Sequence, residues 1–597
     1  MSYEPTTWVC GEEVSADALN HLERGVADLV DTYVPTEWQC DDLITAERMN
    51  KLEQAVAEAS SGIVTIEPLA VTENGVYSAS SGYAFDPVTV AVPTPSGTSN
   101  ITSNGIYDIA SFASVDVNVS GGGDCCDNED AFAMRALAGE YSNSRVTYVG
   151  RNAFKEMYGL TSVYFPNALL VSTDAFRYCY SLTTANFPMV TSIGDAAFAN
   201  NGTLANVSFP EAEYIGMSAF YCCNSLLEAS FPKASTIMSG AFAECMSLQR
   251  ASMPSATFIG HSAFASCMAL SEVHAPEATT ISPFAFAYCS SLSEASFPKV
   301  ATIGSSAFTA CWSLESLSFP SVTAIGNDAF AYCSALSEAN FPNATSLGTA
   351  GTFRGCSTLK AVSFPKITSL PTSAFANCSQ LSSYYLPSLT SIGMFAFAYC
   401  SALSEADFPS ATQLGGSAFV GCSTLATVNI PMLTSIANNA FQGCVGLSEV
   451  SFSSVASIGQ SAFSGCSALT TASFPATTFI GAGAFVGCYA LSATDFPNVA
   501  TVGQNAFLWC SSLATISFPK ATAISSNAFA SCINLMSAYF LGSSVPTFAA
   551  TAFYNTPMSN STLTGTFGSI YVPASLLTSY KTKAGWSAYS NRIVAYE

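Results

Sequence analysis

Charge is scarce in this sequence: charged side chains make up 10% of its 597 residues, against 49% hydrophobic residues. So much apolar material excludes an intrinsically disordered chain, because it is enough to build a core. Positive charge is the scarcer sign, with 18 Lys and Arg against 41 Asp and Glu and a net charge of -23. Such an acidic chain repels phosphate groups, so we expect no nucleic acid partner.

Long apolar runs and histidine are also lacking. No stretch reaches the roughly 20 apolar residues of a membrane-spanning helix, so we expect no membrane span. Residues 1–5 carry no basic or apolar leader, so we expect no signal peptide. The three histidines, His21, His261 and His274, have no carboxylate or cysteine at ligand spacing. Motifs for a nucleophile or a phosphate loop are absent too. The sequence therefore predicts no metal, no cofactor and no enzyme.

A phenylalanine recurs every 22 residues through most of the chain. The spacing holds from Phe154 to Phe330, and after one extra residue it resumes at Phe353 and continues to Phe529, with a looser copy at Phe553. A fixed period of this length indicates a solenoid, in which each repeat is one coil stacked on its neighbours. A long stack of coils presents an extended surface, which favours binding over catalysis.

One repeat illustrates how we expect a coil to be built. Ile303 and Phe308 are spaced to face inward, and apolar and polar residues alternate over residues 316–319 as in a short strand. Pro320 ends this strand because proline cannot donate to a ladder of backbone hydrogen bonds. Residues 305–311 are too few for more than a turn or two of helix. We therefore predict an α/β repeat solenoid in which each coil is one short strand plus a helical turn.

Cysteine is abundant, and 16 of the 21 cysteines follow a repeat phenylalanine by three residues. Equivalent positions of successive coils lie about 4.8 Å apart and point the same way, whereas a disulfide needs Cβ atoms about 3.8 Å apart that face each other. We therefore expect a column of reduced, buried thiols that pack as small hydrophobes. A chain of metal ions is the alternative, and it lacks the spacing of zinc sites. The 16 residues are Cys179, Cys223, Cys245, Cys267, Cys289, Cys311, Cys333, Cys356, Cys378, Cys400, Cys422, Cys444, Cys466, Cys488, Cys510 and Cys532.

The repeat has the pattern Ile-Gly-x-x-Ala-Phe-x-x-Cys-x-x-Leu-x-x-x-x-Phe-Pro, which resembles the BspA-like leucine-rich repeats. The pattern covers most of the chain, with few departures such as Asn201 in place of a cysteine. The resemblance implies a BspA-type solenoid of about 22-residue repeats over residues 146–556. It also implies a C-terminal cap over residues 557–597, because an open end would leave apolar surface in water.

Two duplications precede the solenoid. Residues 1–60 contain two copies of a tryptophan-and-helix pattern, and residues 61–121 contain two copies of an Asn-Gly-x-Tyr and Val-x-Val pattern that predicts small β modules. A Gly-rich joint and a short helix are expected over residues 122–145. The short helices of residues 1–60 each have one apolar stripe that needs a partner, either in a two-helix packing unit or in a docking or oligomerisation surface.

These N-terminal modules resemble those of tail-tip and receptor-binding proteins of phages of Gram-positive bacteria. The resemblance implies a phage tail-associated receptor-binding or adhesin protein, located in the virion, whose N-terminus attaches to tail or baseplate proteins. It also implies a homo-oligomer, with a trimer as one option. Two alternatives remain open: a bacterial cell-surface adhesin with the same repeat, and a glycan-cleaving tail spike. The residues expected to attach or oligomerise are Trp8, Leu19, Leu22, Val26, Trp38, Met49, Leu52 and Val56.

Aromatic residues occur in some repeats where other repeats have small residues. Exposed aromatics among small polar residues suit a bacterial surface receptor that is a glycan or a protein, although some of them could instead pack between coils. A row of glutamates on the strand face, including Glu272 and Glu294, either keeps the sheet in solution or supplies the carboxylate pair of a glycan-cleaving enzyme. The candidate receptor-contact residues are Tyr178, Tyr288, Trp312, Tyr332, Tyr385, Tyr399, Tyr489 and Trp509.

Overall fold

The computed structural model describes residues 90–94, 97–101, 139–559 and 567–597. The helical modules of residues 1–60 and most of the β modules and joint expected over residues 61–145 lie outside the described residues. Within the β-module region, Val90–Thr94 pairs with Gly97–Ile101 as an antiparallel hairpin. The candidate attachment residues Trp8, Leu19, Leu22, Val26, Trp38, Met49, Leu52 and Val56 also lie outside the described part of the chain.

From residue 139 the chain forms the predicted repeat solenoid, but each coil contributes two short strands instead of one. In the coil of Phe308, the side strand Thr302–Ile303 precedes the phenylalanine and the front strand Ser316–Ser318 follows it. Strands of successive coils pair in parallel, and Ile303 pairs with Ile325 of the next coil. The sequence did not predict the side strand, because two residues are too few to show an alternating pattern.

The two kinds of strand alternate along the chain. The front strands are Leu160–Tyr164, Thr184–Asn186, Asn206–Ser208, Glu228–Ser230, Arg250–Ser252, Glu272–His274, Glu294–Ser296, Ser316–Ser318, Glu338–Asn340, Ala361–Ser363, Ser383–Tyr385, Glu405–Asp407, Thr427–Asn429, Glu449–Ser451, Thr471–Ser473, Ala493–Asp495, Thr515–Ser517 and Ser537–Tyr539. The side strands are Tyr148–Val149, Leu170–Val171, Ser192–Ile193, Tyr214–Ile215, Thr236–Ile237, Phe258–Ile259, Thr280–Ile281, Thr302–Ile303, Ala324–Ile325, Ser346–Leu347, Ser369–Leu370, Ser391–Ile392, Gln413–Leu414, Ser435–Ile436, Ser457–Ile458, Phe479–Ile480, Thr501–Val502, Ala523–Ile524 and Thr547–Phe548.

The turn between the two strands of a coil is not helical, so the predicted helical turn is wrong. Ser306 and Ala310 have φ values of 54° and 57°, in the left-handed region that interrupts a right-handed helix. The N–H of Phe308 donates to the carbonyl of Ala329 in the next coil at 2.8 Å, and the N–H of Ala310 donates to Ala331 at 2.8 Å. These bonds between coils replace the bonds within a helix, and the pattern of a single repeat could not reveal them.

The core is built from columns of equivalent residues. Phe308 is fully buried, and its ring stacks on Phe286 and Phe330 with centroid distances of 5.2 and 5.3 Å. The inward orientation predicted for Phe308 is therefore confirmed. We call the equivalent buried residues the Phe column: Phe154, Phe176, Phe198, Phe220, Phe242, Phe264, Phe286, Phe308, Phe330, Phe353, Phe375, Phe397, Phe419, Phe441, Phe463, Phe485, Phe507, Phe529 and Phe553.

Close approach of neighbouring coils explains the recurring glycine before the turn. A Cβ atom added to Gly304 would lie 2.3 Å from the backbone nitrogen of Pro283 and 2.5 Å from the carbonyl carbon of Ser282. Real Cβ atoms do not approach backbone atoms so closely, so a larger residue at Gly304 would require the preceding coil to shift. Some coils do carry a larger residue at the equivalent position, such as Met238 and Ala437. The preference for glycine at this position therefore comes from close stacking and not from the conformational freedom of glycine.

Threonine hydroxyl groups form hydrogen bonds between coils on a surface that carries little charge. The Thr257 hydroxyl donates to the Ser235 carbonyl of the preceding coil at 3.2 Å, and the Thr279 hydroxyl donates to Thr257 at 3.1 Å. The pattern continues at Thr323, whose hydroxyl donates to Ala301 at 3.2 Å. Each hydroxyl donates a hydrogen bond to a carbonyl of the preceding coil. Uncharged residues therefore connect the outer edges of neighbouring coils.

The single inserted residue interrupts one of the sheets. Side strands up to Ser346–Leu347 form one 10-stranded sheet, and the next sheet begins with Ser369–Leu370. Between them, the Asn327 side-chain oxygen accepts hydrogen bonds from the backbone N–H and, at 3.2 Å, the hydroxyl of Thr349. The extra residue is therefore absorbed in the loop after Leu347, and the Phe column continues across it, with Phe330 and Phe353 stacked at 5.2 Å.

The first coil is covered by a strand that lacks the repeat pattern. Gly139–Ser142 pairs in parallel with Leu160–Tyr164, so the front sheet begins at residue 139, ahead of the repeats. Tyr141 lies over the exposed end of the core, 5.3 Å from the ring of Phe154 and 5.6 Å from that of Phe165. The sequence did not indicate this strand because a covering strand contributes one aromatic residue instead of a full repeat.

The last coil is covered by the C-terminal segment. Ser569–Pro573 and Ile593–Tyr596 extend the front sheet, and between them lie the α-helix Leu577–Thr582 and the 3-10 helices Ala574–Leu576 and Trp586–Arg592. Trp586 is fully buried. Its ring stacks on Phe548 at a centroid distance of 3.8 Å, and its indole N–H donates to the Pro546 carbonyl at 3.0 Å. Among the residues that the structure describes, no helix is long and apolar enough to cross a membrane.

Candidate functional site

The thiol column is part of the core. All 16 cysteines of the column are free and buried, which confirms the predicted reduced, buried thiols. Each thiol donates to the carbonyl of the repeat phenylalanine in the preceding coil, as Cys311 does to Phe286 at 3.2 Å. Asn201, which replaces a cysteine, makes the same bond to Phe176 with its amide at 2.8 Å. The column therefore stabilises the stack of coils.

Burial also lowers the reactivity of thiols in the column, as Cys245 and Cys311 illustrate. It raises the pKa of Cys245 and of Cys311 from 9.0 to about 12. A thiol with so high a pKa holds almost no thiolate near neutral pH, and the thiolate is the form that reacts or binds a metal. Outside the column, half-buried Cys222 donates to the Glu244 carboxylate at 3.1 Å, and burial raises its pKa to about 11.

Neither described histidine forms part of a metal-binding or catalytic group. His261 and His274 are both exposed, and the His261 ring nitrogen lies 3.0 Å from the Ser262 hydroxyl. Within residues 139–559 and 567–597, no cluster of three or more His, Cys, Asp or Glu side chains could hold a metal ion.

The acidic row lies on the exposed side of the front strands. Glu228, Glu272 and Glu294 all begin front strands and are exposed. Arg250 stands in register between Glu228 and Glu272 and forms an ion pair with Glu228. The row is therefore not a continuous line of carboxylates, and a basic residue interrupts it.

The turn carries a surface column whose backbone is the same in every coil. We call it the ridge, and it consists of the residue two positions after each repeat phenylalanine. Every ridge residue has a positive φ, between 56° and 77°. The ridge residues are Glu156, Tyr178, Asn200, Cys222, Glu244, Ser266, Tyr288, Ala310, Tyr332, Gly355, Asn377, Tyr399, Gly421, Gly443, Gly465, Gly487, Trp509, Ser531 and Asn555.

The ridge holds two opposite kinds of residue. Glycine occupies it in five coils, where it adopts the left-handed conformation without steric cost. Five other coils place an aromatic residue in the same conformation, which costs a side chain with a Cβ roughly 1–2 kcal/mol. These aromatic ridge residues are Tyr178, Tyr288, Tyr332, Tyr399 and Trp509. Left-handed bulky residues of this kind are uncommon and cluster at functional positions.

The structure distributes the eight candidate receptor-contact residues over three surfaces. Seven are exposed, whereas Tyr178 is half-buried, with the Arg177 guanidinium 4.8 Å from its ring. Five lie on the ridge, Tyr385 lies on the front strands, and Trp312 and Tyr489 lie two residues beyond the ridge in their coils. Three successive coils carry Tyr288, Trp312 and Tyr332, and two successive coils carry Tyr489 and Trp509. Tyr385 and Tyr399 lie on different faces.

Tyr332 illustrates how a ridge ring is held. A Cβ atom added to Gly355, the ridge residue of the next coil, would lie 2.5 Å from the Tyr332 ring. Tyr399 has the same relation to Gly421, at 2.6 Å. The ring of one coil therefore lies over the glycine of the next, while Tyr332 and Tyr399 remain exposed.

Sequence reasoning missed further exposed aromatics on the same turns. Phe284 and Phe395 have φ values of 57° and 54° and are exposed. Tyr158 was also missed, and its ring stacks on that of Tyr180, an aromatic that the sequence did indicate, at a centroid distance of 5.4 Å. It also missed the left-handed backbone of the ridge. The signal was present, because glycine and asparagine, the residues that favour this conformation, recur two positions after the phenylalanine.

The stacked two-strand coils, with a buried leucine and phenylalanine in each, define a leucine-rich-repeat solenoid. The family model described as a BspA type leucine rich repeat region (6 copies) matches residues 128–249, 257–382, 323–448 and 434–560. These matches span well over half of the sequence, so the chain belongs to the BspA-type leucine-rich repeat family.

Several solved structures are similar to this chain. A leucine-rich repeat protein from Bacteroides ovatus is 24% identical, with 56% of this chain and 82% of that chain covered and a TM-score of 0.39. A leucine rich cell surface protein from Faecalibacterium prausnitzii is 24% identical, with 55% and 83% covered and a TM-score of 0.33. The pneumococcal vaccine antigen PcpA is 14% identical, with 77% and 89% covered and a TM-score of 0.27. No curated protein matches the sequence significantly.

Proposed function

We propose that this protein is a BspA-like surface adhesin, whose solenoid binds a receptor through the aromatic residues of the ridge. The observation that carries the proposal is the choice of tyrosine and tryptophan where glycine would fit at no cost. A bulky residue in a left-handed backbone costs folding roughly 1–2 kcal/mol that glycine would not cost. A binding surface does gain, because rigid aromatic side chains supply large contact areas with little loss of conformational freedom.

A binding role fits the described chemistry better than a catalytic one. The 16 column thiols are buried, burial raises the pKa of Cys311 to about 12, and the acidic row is exposed and interrupted by Arg250. A glycan-cleaving enzyme needs one carboxyl group with a raised pKa beside an ionised one. The ridge instead offers rings at fixed spacing. We propose a non-enzymatic protein that works at a bacterial surface.

A second candidate is the phage tail-associated receptor-binding protein. The duplicated Trp-and-helix pattern of residues 1–60 favours it, because it resembles the attachment modules of phage tail proteins. In this version the N-terminus binds tail or baseplate proteins, forms a homo-oligomer and resides in the virion. The ridge would bind the receptor in either case. The two candidates therefore differ in whether the protein is attached to a bacterial surface or to a phage tail, and not in the role of the solenoid.

Labelling with antibodies against residues 139–559 separates the two candidates. We expect immunogold label on the envelope of the producing cells for the adhesin, and label on tail tips of purified particles for the second candidate. In parallel, fluorescently labelled full chain should bind target cells in a saturable way. Absence of saturable binding to every cell type tested, together with label confined to the cytoplasm, would contradict both candidates.

A further inference from the structure

We propose that Tyr288, Trp312 and Tyr332 form a binding site for a neutral, extended polysaccharide that runs along the axis of the solenoid. We call these three residues the aromatic strip. The inference rests on the proposed function and specifies its ligand. The three side chains are 50%, 56% and 46% exposed, although each is large and apolar, and they belong to three consecutive coils.

The spacing of the strip matches a sugar chain. Successive coils lie about 4.8 Å apart, so Tyr288 and Tyr332, two coils apart on the ridge, are separated by about 10 Å. One coil step is close to the length that one pyranose adds to an extended chain. Two rings at this distance are too far apart to stack on each other, so each can pack against a different sugar of the same chain.

The rings present faces that suit sugars. The Tyr332 ring lies against Gly355 of the next coil, and Tyr332 nevertheless remains 46% exposed. Aromatic faces carry negative charge density, and the C–H bonds on the flat face of a β-linked pyranose present weakly positive hydrogen atoms. Tyr288 and Tyr332 have the same left-handed backbone, with φ of 62° at both, so little backbone ordering is needed on binding.

Hydroxyl groups flank the central ring. In the coils before and after Trp312, the equivalent residues are Ser290 and Ser334. The Ser334 hydroxyl donates to the Trp312 carbonyl at 3.3 Å, and the Ser290 hydroxyl donates to Met268 at 3.1 Å. Because each has used its only proton, both remain acceptors for the hydroxyl groups of a sugar. A protein partner would instead favour a continuous apolar centre from which water is excluded.

The charges near the aromatic strip and of the whole chain favour a neutral polysaccharide. The cation beside the strip, Arg354, is paired with Asp328 at 3.1 Å and lies 5.2 Å from the Tyr332 ring centroid. It is therefore not free to neutralise a carboxylate or sulfate. The chain as a whole carries a net charge of -23, which repels an acidic polymer. A neutral chain with flat, β-linked sugars meets these conditions.

Titration of the full chain with soluble hexasaccharides tests the site. The probes are cellohexaose and chitohexaose, which are straight and β-1,4-linked, and maltohexaose, which is curved. We expect saturable binding of a straight hexasaccharide by calorimetry, weaker binding of maltohexaose, and a loss of about tenfold in affinity in Tyr332→Gly and in Trp312→Ser. Both variants carry residues found at equivalent positions of neighbouring coils. Phe479→Ser, an exposed aromatic on a side strand, should bind like the wild type.

The outcomes separate this inference from the proposed function. If no straight hexasaccharide binds, or if Tyr332→Gly and Trp312→Ser bind as tightly as wild type, the polysaccharide site is wrong. If in addition the wild type binds cells and protease treatment of the cells abolishes that binding, the ligand is a protein and the adhesin proposal stands. Hexasaccharide binding without any cell binding would support the site and overturn the adhesin proposal.

Discussion

The Phe column and the ridge lie two residues apart in the same turn and follow opposite rules. The Phe column holds one residue type in all 19 coils, whereas the ridge, with an equally uniform backbone, holds residues from glycine to tryptophan. Stacking of coils explains the first column completely, because each ring contacts the rings above and below it. For the ridge, the stacking of coils determines only the backbone conformation. The difference teaches that the side chains on the ridge are free to serve something other than the fold.

The buried thiol column should determine how the free energy of unfolding changes above pH 9. Burial raises the pKa of Cys245, Cys311 and Cys466 from 9.0 to about 12. Below pH 9 these thiols are protonated in both states. Above it the unfolded chain releases protons that the folded chain keeps, so the free energy of unfolding falls between pH 9 and about 12. The loss is up to about 1.4 kcal/mol per pH unit for each such thiol.

Urea unfolding at intervals from pH 8 to pH 11, followed by circular dichroism, measures this loss. Replacing Cys311 with alanine supplies the control, because it should reduce the pH slope by the contribution of one thiol. A stability that stays constant above pH 9, or a slope that Cys311→Ala leaves unchanged, would contradict the buried thiol column.

Removing one ring from the Phe column should have the next largest effect. We expect Phe308→Ala to cost about 3–5 kcal/mol, since it leaves a cavity in a fully packed stack. Because a coil contacts only its neighbours, the damage should stay local. Hydrogen exchange should accelerate over residues 286–330 and remain unchanged near Phe507. Exchange that accelerates uniformly along the solenoid, or nowhere, would contradict this description of the stack.

Close packing between coils should make one glycine more costly to replace than another. Gly304→Ala should destabilise the protein by about 1–3 kcal/mol, because its Cβ would collide with the backbone of the preceding coil. Gly202→Ala is the matched control, since an added Cβ at Gly202 meets no atom within 4 Å. Thermal melts of the two variants give the comparison, and equal melting temperatures would contradict the assigned coil spacing.

On the ridge, a glycine replacement should be more stable than an alanine replacement, which reverses the usual order of stability. Tyr332→Gly and Tyr332→Ala both remove the ring, but only glycine adopts the left-handed backbone freely, so the glycine variant should be more stable by about 1 kcal/mol. At Phe479, on a side strand, alanine should be the more stable replacement by about 0.5–1 kcal/mol. Urea midpoints of the four variants test this. If alanine is favoured at both sites, the ridge aromatics carry no backbone strain and the proposal loses its main support.

Much of the fold could be predicted because the repeat copies the same physical requirement many times. The spacing of Phe308 and Cys311 indicated buried columns, and both are buried and free of disulfides. The helical turn over residues 305–311 was wrong, because the left-handed Ser306 and Ala310 are stabilised by bonds to the next coil. Those bonds exist only between copies, so the propensities of one repeat could not predict them.

The candidate site was less predictable than the core. Aromatic substitutions in a small-residue background identified exposed side chains such as Trp312 and Tyr399. They did not indicate that five candidates share the ridge, nor that Tyr385 lies on the front strands instead. The missing information was the backbone conformation of the turn, which decides where a side chain points. A glycine recurring at the position, as at Gly443 and Gly465, was the clue in the sequence.

Binding of the full chain to target cells, compared with a variant in which Tyr288, Tyr332, Tyr399 and Trp509 are all replaced by glycine, tests the central claim most directly. Labelled protein is titrated onto cells and followed by flow cytometry, and circular dichroism and a thermal melt of each protein confirm folding. We predict that the variant keeps the wild-type spectrum and melts cooperatively, because glycine already occupies five ridge positions, while saturable cell binding is lost. A folded variant that binds cells with wild-type affinity would contradict the assignment of the ridge as the receptor-binding surface.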